Sequence, residues 1–348
     1  MSQRSLQGKK GFTLVEILVS TAILAMLLVI LLSITSQAST MWRYTSGRIE
    51  QFRQAREAFD LISRRLSQAT LNTYWDYDDP SAPTRYIRQS ELRFLSGPTE
   101  AIAGSPPAGK RWPFQGVFFQ ASLGAAQPGQ TDLSGLNSLL NTWGYFVEFG
   151  SDDTFRPPIL NGSAIPLRYR FRLCELIQPA NELTIYDHTS GAASGKPKTI
   201  SYTGNDWFAP ALTSSAGRPV HELAENVIAL ILLPKLSSDE DPSRSQLAPL
   251  YTYDSTTTRS DEKINSKNQL PPVMQLTMVS LDESSARRLE NGSTMPNLGL
   301  DGLFTDATKY EADLRQLEQT LTQKNLNYRV FTTSVQLREA KWSTEQKN

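Results

Sequence analysis

From Phe12 to Ile34 the chain carries a single charged residue, Glu16, and neither glycine nor proline. At about 1.5 Å per residue a helix over this run is roughly 30 Å long or slightly more, enough to cross a hydrocarbon core of about 30 Å. The polar residues within it, Thr13, Ser20, Thr21 and Ser33, are small and able to bond back to helix carbonyls. The run predicts a membrane-spanning helix, and that constrains everything downstream of it.

An ordinary secretory signal has an apolar region of about 7–15 residues, and this run is longer. It also holds a carboxylate, which costs roughly 2.5–3.5 kcal/mol near a bilayer centre and therefore calls for a partner. The basic leader ends at Gly11, directly before the apolar run. A cut after Gly11 frees an α-amine on Phe12, one helical turn from Glu16; such an amine, of pKa about 7.7–8.0, is largely cationic at neutral pH. Beside a neighbouring subunit's Glu16 it neutralises the acid. The competing readings are an uncleaved signal anchor and a signal peptide cut after Ser36-Gln37-Ala38.

The segment Gly11-Phe12-Thr13-Leu14-Val15-Glu16 resembles the cleavage and methylation site of type IV prepilins and type II secretion pseudopilins. The resemblance implies cleavage between Gly11 and Phe12 by a prepilin peptidase, N-methylation of Phe12, and a role for Glu16 in registering subunits during filament assembly. The partners it implies are that peptidase, other pilin or pseudopilin subunits and inner-membrane lipid.

Charge fits this setting. The chain has 348 residues, 35 basic and 35 acidic, for a formal net charge of +0, which argues against a dedicated nucleic-acid protein. Cys174 is the one cysteine, so no intramolecular disulfide is available and an exported domain must rely on its core. Arg4, Lys9 and Lys10 precede the span and favour a cytoplasmic leader with the C-terminal part across the inner membrane, in the periplasm or on a filament.

Four segments follow: a leader at 1–11, the membrane half of a long helix at 12–34, an amphipathic half at 35–75, and an α+β head at 76–348. Apolar positions Ile49, Phe52, Phe59, Ile62, Leu66 and Ala69 share one helix face, and Arg53–Glu57, Arg56–Asp60 and Asp60–Arg64 are opposite charges four apart. One helix from about Phe12 to about Thr70 is expected, with Gly47 a weak kink, packed on an antiparallel sheet. Asp76-Tyr77-Asp78-Asp79-Pro80 reads as the loop ending it. Strands are expected at Glu91–Leu95, Gly116–Ser122, Trp143–Gly150, Leu167–Leu173, Leu183–Tyr186, Val227–Leu233 (the central one), Val273–Leu281 and Tyr328–Leu337. Helices are expected at Glu283–Asn291 and after a capping box at Thr308–Glu311. Residues 187–220 and 234–269 read as polar loops.

On Leu167–Leu173 the apolar set alternates with Arg168, Arg170 and Arg172. Three arginines in a row are a candidate anion-binding face, but the wet side of an antiparallel sheet is the favoured reading. The acidic clusters at Asp76–Asp79, Asp152-Asp153 and Asp239–Asp241 lack the spacing of a calcium loop. His188 and His221 are the two histidines, and no phosphate loop, dinucleotide fingerprint or nucleophile elbow occurs. No catalytic residue, metal site or cofactor is expected, and the chain reads as a structural subunit rather than an enzyme. An adhesin or DNA-binding subunit using the same export route is the alternative.

A second resemblance covers nearly the whole chain. Gly144–Gly150, Arg168–Pro179, Leu223–Leu233, Leu270–Val273 and Tyr328–Trp342 are similar to the Verru_Chthon cassette protein C family of prepilin-like proteins. Phe59–Ala69 and the Leu223 and Pro271 segments are also similar to J-type minor pseudopilins, although this head is larger.

Overall fold

A computed structural model describes residues 13–79, 81–126, 135–136, 138–157, 159, 165–186, 205–214, 217–243 and 245–343. In chain order the elements are α1 (Leu14–Leu66), β1 (Tyr74–Tyr77), β2 (Tyr86–Gln89), β3 (Leu95–Pro98), α2 (Thr99–Ala103), β4 (Gln115–Ser122), β5 (Leu140–Ser151), β6 (Tyr169–Gln178), α3 (Ala209–Thr213), β7 (Val220–Glu225), β8 (Val227–Lys235), β9 (Tyr253–Asp254), β10 (Val273–Leu281), α4 (Glu283–Leu289), α5 (Tyr310–Gln323) and β11 (Tyr328–Gln336). The class is α+β: a long N-terminal helix followed by a domain of antiparallel sheets. The chain divides into two compact units, residues 1–50 and 51–348.

α1 is one helix of 53 residues, and it runs through Gly47 without a break. In its first part, Leu14–Trp42 forms a segment of 29 residues, none of it buried, that is long and apolar enough to cross a membrane. Its hydroxyls turn back onto the backbone: Ser20 Oγ donates to the Glu16 carbonyl at 2.7 Å and Thr21 Oγ1 to that of Leu18 at 3.0 Å. This hides polar groups that lipid would not solvate.

Past residue 50 the period of three and four takes over. Ala55, Ala58, Phe59, Ile62 and Leu66 are buried, and the Phe59 ring lies 5.8 Å from that of Phe331 on β11. Arg53–Glu57 and Arg56–Asp60 pair on the exposed side. Arg64 turns instead to the Asp60 carbonyl at 3.3 Å, so the third expected pair is a side-chain-to-backbone bond rather than an ion pair. The helix ends a turn before the expected Thr70, where Thr70 N bonds to the Gln120 carbonyl of β4 at 2.9 Å.

Among the described residues the strands form a six-stranded sheet in the order β7-β6-β5-β4-β3-β9, a three-stranded sheet β11-β10-β8, and the hairpin β1-β2. Between β7 and β8 the chain passes from the six-stranded sheet to the three-stranded one through a single residue, Asn226, in the left-handed region at φ 61°. Asn is one of the few residues that adopts this conformation readily.

Several expectations are corrected. Val227–Leu233 lies within β8 but is an outer strand of its sheet, not a central one. Its burial comes from the other sheet: Gln115 of β4 caps its edge, with Oε1 accepting from Leu232 N at 2.6 Å. The segment after Asp76 is not a helix-ending loop, because β1 is already a strand paired with β2. Leu183–Tyr186 forms 3₁₀ turns rather than a strand. Between 234 and 269, Leu247, Tyr251, Tyr253 and Ser266 are buried, so this stretch is part of the folded body. The capping box at Thr308 does not form. Asp306 instead accepts from Thr308 N and opens a 3₁₀ turn that leads into α5.

Candidate functional site

The sequence places the processing and assembly site at Gly11, Phe12 and Glu16. Gly11 and Phe12 lie outside the described residues, and Glu16 sits in the first turn of α1. There Thr13 and Glu16 bond reciprocally: Thr13 N donates to Glu16 Oε2 at 3.4 Å, and Glu16 N donates to Thr13 Oγ1 at 3.3 Å. This is a capping box, in which two donors at the helix start are satisfied by two side chains. The sequence carries the corresponding signal, T-x-x-E at Thr13–Glu16. The geometry gives the carboxylate a berth against the positive end of the helix dipole within its own chain.

The solvent-facing row expected for Arg168, Arg170 and Arg172 does not form. The side chains of Arg170 and Arg172 are each 2% exposed, against 40% for Arg168. Both faces of β5 and β6 are covered, which removes the wet side. Carboxylates come from two elements. β7, adjacent in the sheet, sets Glu225 opposite Arg172 and Glu222 opposite Cys174. α4 and its C-terminal end bring Glu283 and Glu290. Arg170 pairs with Glu283 and, at 2.7 Å, with Glu290; Arg172 pairs with Glu222 at 2.8 Å. Burial opposes the charge on Arg170, but Glu283 and Glu290 outweigh it and raise its pKa. Burial likewise works to raise Glu283, yet the bonds from Arg170 and Arg287 pull it down to about 2. An incoming anion would have to displace these internal acids. The missed signal was β7, whose Glu222 and Glu225 flank Leu223 and Ala224 within a short strand.

A second buried group surrounds Glu148 on β5, which accepts from Trp112 Nε1 at 3.1 Å and pairs with Arg218 at 2.7 Å and Lys110 at 3.7 Å. Cys174 lies inside β6 rather than just past a strand; it is fully buried, and burial pushes its thiol pKa up, the opposite of an activated nucleophile. His221 is exposed on β7, and His188 lies outside the described residues. The Asp78 carboxylate is taken up by the β1–β2 turn, accepting from Thr84 N at 2.9 Å and Arg85 N at 3.2 Å. Among the described residues no cluster of three or more His, Cys, Asp or Glu side chains is arranged to hold a metal ion.

Residues 6–32 match the prokaryotic N-terminal methylation motif. No curated protein and no solved structure matches the chain. The motif, with an exposed helix behind it that is long and apolar enough to cross a membrane, supports a type IV pilin-like or pseudopilin-like subunit and implies processing by a prepilin peptidase.

Proposed function

We propose that the chain is a minor pilin-like or pseudopilin-like subunit that joins a type IV pilus or type II secretion pseudopilus-like filament. The observation that carries this is the methylation motif at 6–32, continuous with an unburied apolar helix whose one acid lies in its first turn. In this reading residues 1–11 are the leader, 12–34 the membrane half of the helix and the rest of α1 to Leu66 its amphipathic half, leaving the sheets that follow as a periplasmic or cell-surface head. Peptidase cleavage between Gly11 and Phe12 precedes N-methylation of Phe12. The new amine then draws Glu16 of a neighbouring subunit out of its bond to Thr13, and the pair sets the axial register. The resemblances to cassette protein C and J-type minor pseudopilins suggest a subunit present in few copies rather than the main shaft.

Peptide mass spectrometry of the protein from its native membrane tests the first half of this. A chain beginning at N-methyl-Phe12 is expected; one beginning at Met1, or at Ser39, overturns it. The second half is tested by Glu16→Ala, which is expected to be cleaved normally but to assemble poorly. Normal assembly of that variant removes the pairing step while leaving the processing step intact.

A further inference from the structure

The hairpin β1–β2 presents aromatic rings to solvent on one face. Its register sets Trp75 opposite Arg88 and Tyr77 opposite Tyr86, so all four side chains project to one side. The Tyr77 and Tyr86 rings stack at 4.8 Å, while Trp75 and Tyr86 remain 60% and 62% exposed. At the base of the hairpin lies a cleft of about 350 Å³, lined by Asn72, Thr73, Arg88, Asn268, Glu339 and Lys341 among others.

Arg88 is the unusual member. It is only 8% exposed, yet no described carboxylate pairs with it. Its Nη1 donates to Gln269 Oε1 at 3.0 Å and to the Lys341 carbonyl at 2.8 Å, and its guanidinium carbon lies 5.5 Å from the Trp75 ring centre. The hydrogen bonds of its side chain to described groups both run through Nη1, and the residue lines the cleft. Gln269 is already committed, since its Oε1 also accepts from Ser343 N at 2.9 Å. Desolvation lowers the pKa of Arg88. A largely buried cation that no described carboxylate pairs with is weakly compensated, and an incoming carboxylate would meet it in the fork geometry that guanidinium favours. The buried arginines of β6 make the contrast, each held by glutamates of its own chain.

We propose that this cleft and the aromatic face beside it bind an acidic oligosaccharide, its carboxylate on Arg88 and a sugar ring against Trp75 and Tyr86. The lining favours this class over others. Arg88 and Lys341 against Glu339 leave one net positive charge, enough for one acid group but not for the repeated phosphates of a nucleic acid. Glu339 itself is engaged by the Thr70 hydroxyl. Apart from Leu71 and Leu270 the walls are polar, unlike the apolar centre of a protein interface. Neutral amide and hydroxyl groups of Asn72, Thr73 and Asn268 suit sugar hydroxyls, and exposed Tyr and Trp rings combine an apolar face with a polar rim. The inference does not depend on filament assembly.

The test is titration of the full-length chain in detergent micelles with tetragalacturonate, followed by calorimetry and by quenching of tryptophan fluorescence. Neutral galactotetraose, oligoglutamate and a single-stranded oligonucleotide serve as the other probes. Tetragalacturonate is expected to bind, with the affinity reduced about tenfold or more in Arg88→Gln through loss of the charge-assisted pair and several-fold in Trp75→Ala. The surface variant Arg287→Gln is expected to bind as the parent does. Trp75→Ala alters an exposed residue and keeps the test valid should Arg88→Gln fold poorly. Absence of binding, unchanged affinity in Trp75→Ala, or equal binding of oligoglutamate or the oligonucleotide overturns the proposal.

Discussion

The guanidinium of Arg65, in the last turn of α1, lies 4.3 Å from the centre of the Trp143 ring on β5. It also pairs with Glu175 on β6 and donates to the Tyr145 hydroxyl at 3.4 Å. The amphipathic half of the helix is thus joined to the six-stranded sheet by an ionic and aromatic contact as well as by packing. The Glu175 side chain is 5% exposed and that of Arg65 25%. Removing one partner of a fully buried pair costs about 3–5 kcal/mol; partial exposure of Arg65 reduces the expectation for Arg65→Ala to about 2–3 kcal/mol. Guanidinium chloride unfolding of the full chain in detergent reads this, and Arg65→Ala combined with Glu175→Gln should cost less than the two single changes added.

Acid should weaken the domain through Glu283. Its carboxyl is held at about 2 in the folded state, against an ordinary 4.5. A depressed acid contributes stability that is complete above the unfolded value and disappears as pH falls through the folded one. The stability difference between the parent and Glu283→Gln should therefore be greatest near neutral pH and shrink between pH about 4.5 and about 2. A difference that stays constant over that range would show that Arg170 is held by Glu290 and Glu225 without it.

Gly144 has a steric reason to be glycine. A Cβ built there meets the Phe118 ring at 2.4 and 2.6 Å, and that ring cannot retreat because it stacks on Phe208 at 3.9 Å. Gly144→Ala should lower stability by about 1–3 kcal/mol, the range for overpacking a filled core. Adding Phe118→Leu should recover part of the loss, as read by thermal unfolding.

Gln115 is 4% exposed and serves as the edge partner of β8. Gln115→Leu keeps the volume but strands the Leu232 amide, at a cost of about 1–3 kcal/mol for a buried donor left unmet. Hydrogen exchange at that amide should accelerate more than at its neighbours on β8. Uniform acceleration along the strand would instead indicate global loosening.

How much of this was legible in the sequence differs by element. α1 was readable because two unbroken patterns, one apolar all round and one periodic, meet in a single glycine-poor stretch. β10 matched residue for residue because Val273–Leu281 is bounded by Pro-Pro before it and an acid-rich helix start after it. β7 was hidden: half-buried Val220–Glu225 carries one histidine and two glutamates, and its identity as a strand rests on pairing with β6. Without it the arginines of β6 had no visible partners. At the N-terminal site the depth of Glu16 was evident from the run alone, whereas its bond to Thr13 depends on where the helix begins. The Arg88 cleft depends on contacts across about 180 to 250 residues of chain, and no local pattern encodes those.

The end of α1 has a mechanical meaning. Just beyond the helix, Ser67 accepts from Arg338 N at 3.0 Å and Thr70 donates to Gln120 at 2.9 Å. The first bond leads to the strand exit of the three-stranded sheet, and the second to β4 in the six-stranded one. The exit of the helix is thereby tied to both sheets over four residues, Ser67 to Thr70, so that loosening either sheet alone leaves it held by the other.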